Sequence, residues 1–144
     1  MNKSKKFWKD KKVLVIGSGG FKGKWLAILL NKLGAKVTGV NKTLIKNVNY
    51  KLYTADICDL KKINYIFIKE KPEIVFHLAA QPIVSESYKN PIQTYKTNIF
   101  GLLNILEIIR KNKFIKSSII VTSDKCYKKN EKKTSRPLNE ESSL

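Results

Sequence analysis

The chain has 144 residues, 42% hydrophobic and 28% charged, with 29 Lys and Arg against 11 Asp and Glu for a formal charge of +18. This excludes a disordered chain and suits one domain able to bury a core without metal or disulfide support. A single His and two distant cysteines, Cys58 and Cys126, give no zinc-ligand pattern, so no metal is expected and the thiols read as reduced. Apolar runs such as 25–30 and 74–80 fall short of the roughly 18 residues of a membrane span. The basic start, 1–12, leads into only a short apolar run, too brief for a secretion signal, so a cytoplasmic location without membrane contact is expected.

Only Arg110 and Arg136 among the basic residues are arginines. Nucleic-acid sites favour the bidentate arginine fork, so the charge reads as a solvated lysine surface and no nucleic-acid partner is expected. The densest cluster, 125–133, can still attract phosphate-bearing ligands. A non-catalytic dinucleotide- or polyanion-binding module is the alternative that follows from the charge, and retention of polyanions at physiological salt would favour it.

In chain order, 12–16 reads as a buried parallel strand ending in glycines. A helix is expected over 21–33 with Trp25, Leu26, Leu29, Leu30 and Leu33 on its inner face and Gly34 as the cap. A strand at 36–40, a polar connection and a strand at 50–54 follow. Asp59 then offers an N-cap for a helix over 60–69. Strand 74–78 leads to a long loop bracketed by Pro82 and Pro91. A long amphipathic helix is expected over 94–111, with Ile99, Leu102, Leu103, Leu106 and Ile109 on one face, and a last strand at 118–122. The remainder, 128–144, reads as a loop or frayed tail. Alternating strands and helices predict an α/β fold, a Rossmann-type doubly wound parallel sheet.

Chemistry concentrates after the first strand. Gly17, Gly20 and Gly23 form G-x-x-G-x-x-G between a strand and a helix, the context in which glycines serve a tight turn, close approach to a pyrophosphate and close helix packing. No Asp or Glu lies between Asp10 and Asp56. The carboxylate that commonly receives the ribose 2′-hydroxyl is therefore missing. Asn41 or backbone groups would take that role, while Lys42 could tolerate a 2′-phosphate, which leaves NAD and NADP both open. Asp56 is placed either to accept from an adenine amino group or to cap a helix. His77, beside apolar residues, reads as a core residue.

Several stretches resemble the extended short-chain dehydrogenase/reductases and, among them, the CDP-glucose 4,6-dehydratases: 7–11, 20–27, 34–39, Lys71-Pro-Glu-Ile-Val-Phe-His-Leu-Ala-Ala-Gln-Pro82, Thr97-Asn-Ile-Phe-Gly101 and Val121-Thr-Ser-Asp-Lys-Cys-Tyr127. The resemblance implies NAD held by Gly17, Gly20, Phe21, Gly23, Asn41, Asp56, Ile57, Leu78, Ala79, Ala80 and Asn98, with Asn98 ordering the catalytic end of the sheet. It implies CDP-glucose or a related nucleotide sugar as substrate, facing Gln81 and Tyr88. Ser123 would bond the sugar 4-hydroxyl, Asp124 would protonate the departing 6-hydroxyl, and Lys125 would stand where a base acts at the 5-proton. A dimer built on the helix over 94–111 is also implied, and an exposed apolar face there predicts self-association.

Two departures stand out. Ser85 occupies a place where the family carries arginine, which predicts altered substrate binding. The catalytic Tyr-x-x-x-Lys of the family would fall beyond Leu144, so the dinucleotide-binding domain, 1–127, is expected to be partial, with no substrate domain and no turnover by this chain alone. Tyr65 and Lys69 satisfy the same spacing but precede the fourth strand and read as an ordinary helical pair.

Overall fold

A strand covered on both faces buries every one of its side chains, and the four consecutive apolar residues 13–16 take that place. β1 (Lys12–Ile16) lies at the centre of a five-stranded parallel sheet with β2 (Lys36–Asn41), β3 (Lys51–Thr54), β4 (Ile74–His77) and β5 (Ser117–Ile120), in the order β3-β2-β1-β4-β5. The structure, a computed structural model, describes residues 3–123. The expected boundary at 127 and the tail over 128–144 lie outside the described residues.

Alternate side chains of β1 enter two cores. Leu14 and Ile16 join Val40, Phe67, Val75 and Ile105 on one face, beneath α3 (Leu60–Glu70) and α6 (Leu102–Lys111). Val13 and Val15 join Ala27, Leu30, Val37 and Ile74 on the other, beneath α2 (Phe21–Lys32). Helices on both faces of this strand order make the sheet Rossmann-type, as the alternation of elements predicts.

α2 ends as expected. The Ala35 N–H bonds the Leu30 carbonyl at 3.0 Å and the Gly34 N–H bonds that of Asn31 at 3.0 Å, the paired bonds of a Schellman cap. Its inner face differs from the expectation. Trp25 and Leu29 stand 63% and 54% exposed, and Gly23, Ala27 and Leu30 are buried. A helix lying close on a sheet turns its small residues inward and its large ones out, so size outranks hydropathy here.

α1 (Lys3–Trp8) was not expected. It buries no residue fully, and its contribution is Trp8, packed on the second core and edge-to-face with Phe7 at 4.9 Å. Asp59 caps α3 as anticipated, accepting from the Lys62 N–H at 3.0 Å.

The segment after Pro82 is not a loop. α4 (Val84–Lys89) and α5 (Pro91–Tyr95) fill it, with Pro91 at the first helical position, where its missing N–H costs nothing. Neither buries a residue, so neither leaves an apolar period to read. A π-helical turn (Lys96–Gly101) joins α5 to α6 and splits the helix expected over 94–111. The core-facing residues are Gly101, Ile105 and Ile108. Ile99, Leu103 and Leu106 form part of an outward apolar stripe with Ile92 and Tyr95, the exposed apolar face expected on this helix. β5 starts one residue earlier than expected, at the sheet edge.

Candidate functional site

In this topology the chain leaves the carboxyl ends of β1 and β4 toward opposite faces of the sheet, which opens a crevice between them. A cavity of about 180 Å³ lies there, lined by Gly17 and Gly20 after β1, Asn41 and Lys42 after β2, Asp56 and Ile57 after β3, Leu78, Ala79 and Ala80 after β4, and Thr97 of the π turn.

The glycine turn builds one wall. Gly17 holds φ of +89°, and a Cβ there would lie 2.7 Å from the Ala79 backbone nitrogen. Its N–H and that of Ser18 both reach the Val40 carbonyl, at 2.8 and 3.2 Å, which pins the turn to β2. A Cβ on Gly23 would come 2.1 Å from the Gly17 carbonyl oxygen, so the first turn of α2 can press against the strand exit only with glycine there. At Gly20 the nearest such contact is 3.4 Å, and that residue faces the cavity.

Gly20 is also the N-cap of α2, without a side-chain cap and without an acidic residue in the first turn. Lys22 and Lys24 stand there instead, where they oppose the helix dipole but favour an anion. An uncapped helix start beside a positive-φ turn is the arrangement that receives a diphosphate. These residues fit a dinucleotide.

Asn41 closes the β2 side. A Cβ on Gly19 would sit 2.6 Å from its amide, and its Nδ2 donates to the Thr43 carbonyl at 2.9 Å and hydroxyl at 3.1 Å. Asp56 caps no helix. Its Oδ1 accepts from the Cys58 N–H at 2.9 Å and its Oδ2 pairs with Lys42 Nζ at 3.0 Å. Burial works against ionisation of Asp56, but the Cys58 N–H and the Lys42 ammonium prevail and hold its carboxyl below the ordinary value. Burial and then the neighbouring Asp56 raise the half-buried Cys58 thiol, which donates to the Lys96 carbonyl at 3.3 Å. Asn104 Nδ2 fixes the Ile57 carbonyl at 3.0 Å.

On the β4 side Asn98 bonds both polar groups of the Gln81 peptide. The Gln81 side chain is turned into its own loop, bonding the N–H and carbonyl of Ile83 and the Thr94 hydroxyl. Tyr88 stands 84% exposed on α4 and lines no part of the cavity, and the Phe21 ring is equally outside it. Ser123 follows β5 on the carboxyl side of the sheet and does not line the cavity, while Asp124 and Lys125 lie outside the described residues. His77 is buried with Nδ1 unpartnered, and burial lowers its pKa, in keeping with a core residue. Lys69 Nζ and the Tyr65 hydroxyl meet at 3.0 Å on α3, the helical pair expected of them.

Sequence reasoning missed Ser18, Gly19, Tyr50 and Thr97. Ser18 is buried, its hydroxyl donates to the Val40 carbonyl at 3.4 Å, and its own carbonyl accepts from the Tyr50 hydroxyl at 3.3 Å. The unbroken Gly-Ser-Gly-Gly run was the available signal for two of these. Among the described residues no helix is long and apolar enough to cross a membrane.

Comparison with known proteins adds to this geometry. The family model described as GDP-mannose 4,6 dehydratase matches residues 14–143. CDP-glucose 4,6-dehydratase of Salmonella typhimurium is 41% identical over 133 residues, covering 85% of this chain and 37% of that protein. dTDP-D-glucose 4,6-dehydratase of Dictyostelium discoideum is 36% identical over 129 residues, covering 81% and 30%. A Thermotoga maritima UDP-glucose 4-epimerase solved with UDP-glucose superposes with a TM-score of 0.70 at 35% identity, covering 75% of this chain and 36% of that one. The Thermus thermophilus UDP-glucose 4-epimerase in complex with NAD gives 0.64 at 28% identity, covering 69% and 34%. The chain thus spans well under half the length of these relatives.

Proposed function

The chain belongs to the GDP-mannose 4,6 dehydratase family, and from that membership we propose that it forms the NAD-binding portion of a sugar-nucleotide 4,6-dehydratase, a lyase, acting on CDP-glucose. The observation that carries the coenzyme half is the turn from Gly17 to Gly23 beside the cavity at the strand ends. The 41% identity to a CDP-glucose 4,6-dehydratase carries the substrate half.

On this reading the N–H groups at the start of α2, from Gly20 and Phe21 onward, bind the diphosphate, and Gly17 and Gly23 let turn and helix approach it. Asn41 takes the ribose, Asp56 and Ile57 the adenine, and Leu78, Ala79 and Ala80 leave room for the nicotinamide ribose, with Asn98 positioning their loop. Bound NAD would supply a reversible hydride acceptor at the sugar 4-position, so that oxidation there acidifies the 5-proton and permits loss of water across the 5,6 bond. Ser123 bonds the 4-hydroxyl, Asp124 gives its proton to the leaving 6-hydroxyl, and Lys125 stands where a base removes the 5-proton. Gln81 and Tyr88 contact the nucleotide sugar. These roles suit a domain over 1–127 located in the cytoplasm and dimerising through the outward apolar stripe of 92–106.

Calorimetric titration with NAD and a coupled assay for the 4-keto-6-deoxy product test the reading. A polypeptide of these 144 residues, in which no Tyr-x-x-x-Lys follows β5, is expected to bind NAD and to leave CDP-glucose unconverted. A folded sample that ignores NAD would remove the coenzyme half, and turnover of CDP-glucose by these 144 residues would contradict the expectation that conversion needs a Tyr-x-x-x-Lys pair after β5.

A further inference from the structure

Doubly wound folds commonly exclude 2′-phosphorylated coenzymes with a carboxylate at the end of β2, which accepts the 2′-hydroxyl and repels a phosphate. Here β2 ends in Asn41, with Lys42 next. A neutral amide beside an ammonium should, by itself, welcome a 2′-phosphate. Two contacts change that outcome.

The first is the Lys42–Asp56 pair. Lys42 is the one cation and Asp56 the one anion among the described residues that line the cavity, and Nζ lies 3.0 Å from Oδ2. The carboxylate is anchored on the backbone through the Cys58 N–H at 2.9 Å, so swinging away costs it that hydrogen bond. A 2′-phosphate that reaches for Lys42 must share its ammonium with Asp56 and come close to that carboxylate, whose charge repels it. The second contact orients Asn41. Its Nδ2 is spent on Thr43, so what Asn41, a lining residue of the cavity, keeps to offer is Oδ1, an acceptor. An acceptor suits a ribose hydroxyl and opposes phosphate oxygens.

We propose that Asp56 sets coenzyme selectivity in this pocket by withholding Lys42, so that NAD is preferred over NADP although β2 carries no carboxylate. The proposal rests on the dinucleotide reading above. It adds a task to Asp56 that is separate from contact with adenine, which both coenzymes share.

The test is calorimetric titration of the 144-residue chain with NAD and with NADP, for the unsubstituted protein, Asp56→Asn, Lys42→Gln and the double variant, with circular dichroism to confirm folding. Asn at 56 keeps an oxygen for the Cys58 N–H. Loss of an adenine contact weakens both coenzymes alike and cancels in the ratio of their Kd values. Asp56→Asn is expected to move that ratio toward NADP by about tenfold, Lys42→Gln to move it a few-fold the other way, and the double variant to lose the gain of Asp56→Asn. Should Asp56→Asn not fold, Asp56→Ser, which keeps an oxygen for the Cys58 N–H, is read by the same ratio with the same expected direction. An unchanged ratio in Asp56→Asn, or the same gain in the double variant, overturns the proposal while the dinucleotide site stands. Failure of the unsubstituted chain to bind either coenzyme overturns both.

Discussion

Asn98 grips the Gln81 peptide from both sides, its Oδ1 accepting from the N–H at 2.7 Å and its Nδ2 donating to the carbonyl at 3.1 Å. The grip ties the π turn to the segment after β4, whose residues 78–80 line the cavity. A π turn inside a helix commonly marks a functional position, and here it supports the residue that makes this tie.

Asn98→Ala should therefore cost about 1–3 kcal/mol of stability, since two partly buried backbone groups lose their partner. Asn98→Asp should also weaken NAD binding, because a carboxylate oxygen would face the Gln81 carbonyl. Urea denaturation and calorimetry read the two effects separately. Stability and affinity both unchanged would remove the positioning role.

Gly23→Ala places a methyl 2.1 Å from the Gly17 carbonyl oxygen, a backbone atom that cannot yield without moving the turn. Overpacking of this kind costs on the order of 3 kcal/mol, enough to shift the thermal midpoint by ten degrees or so in a chain this size. A melting curve matching the unsubstituted chain would contradict the turn geometry.

His77 is the chain's one histidine and is buried, with burial lowering its pKa below 6.5. The unfolded chain therefore binds a proton that the folded chain refuses. Stability is full above about pH 6.5 and falls as the pH drops from there toward the folded pKa. Asp56, Glu70 and Glu73, whose pKa values are lowered in the fold, lose their contributions only below the ordinary carboxylate range. Denaturation midpoints between pH 7 and 5 should decline in the native chain and stay level in His77→Leu. Parallel curves would contradict this assignment.

The outward stripe of Ile92, Tyr95, Ile99, Leu103 and Leu106 predicts self-association. Sedimentation should show dimers or larger species that dissociate in Ile99→Lys/Leu103→Glu, with the variant still folded by circular dichroism because both side chains are exposed in the single chain. A monomeric native chain would contradict an interface there.

Much of this was legible along the chain. The unbroken apolar run of β1, the glycine turn that follows it and the Asp59 cap depend on neighbours in sequence, and each stands where it was expected. What escaped depends on neighbours in space. The inner face of α2 is decided by how closely helix and sheet approach, which favours Gly23 and Ala27 over Trp25. Lys42 looked free because its partner arrives from the next strand. Asn41 is in register with Thr54 across β2 and β3, so the residues just beyond each strand are brought together. α4 and α5 bury nothing and so carry no pattern.

The most direct measurement is NAD titration of Gly20→Ala against the unsubstituted chain, with melting curves alongside. Gly20 has extended backbone, φ −70° and ψ 163°, and a Cβ there meets protein no closer than 3.4 Å, so the variant should fold and melt unchanged. The added methyl would project where the diphosphate approaches the start of α2. One-to-one binding by the native chain and a loss of at least about tenfold in the variant, the equivalent of 1.4 kcal/mol or more, are the expected results. A folded native chain indifferent to millimolar NAD, or a variant that binds as well as the native chain, would contradict the account at its centre.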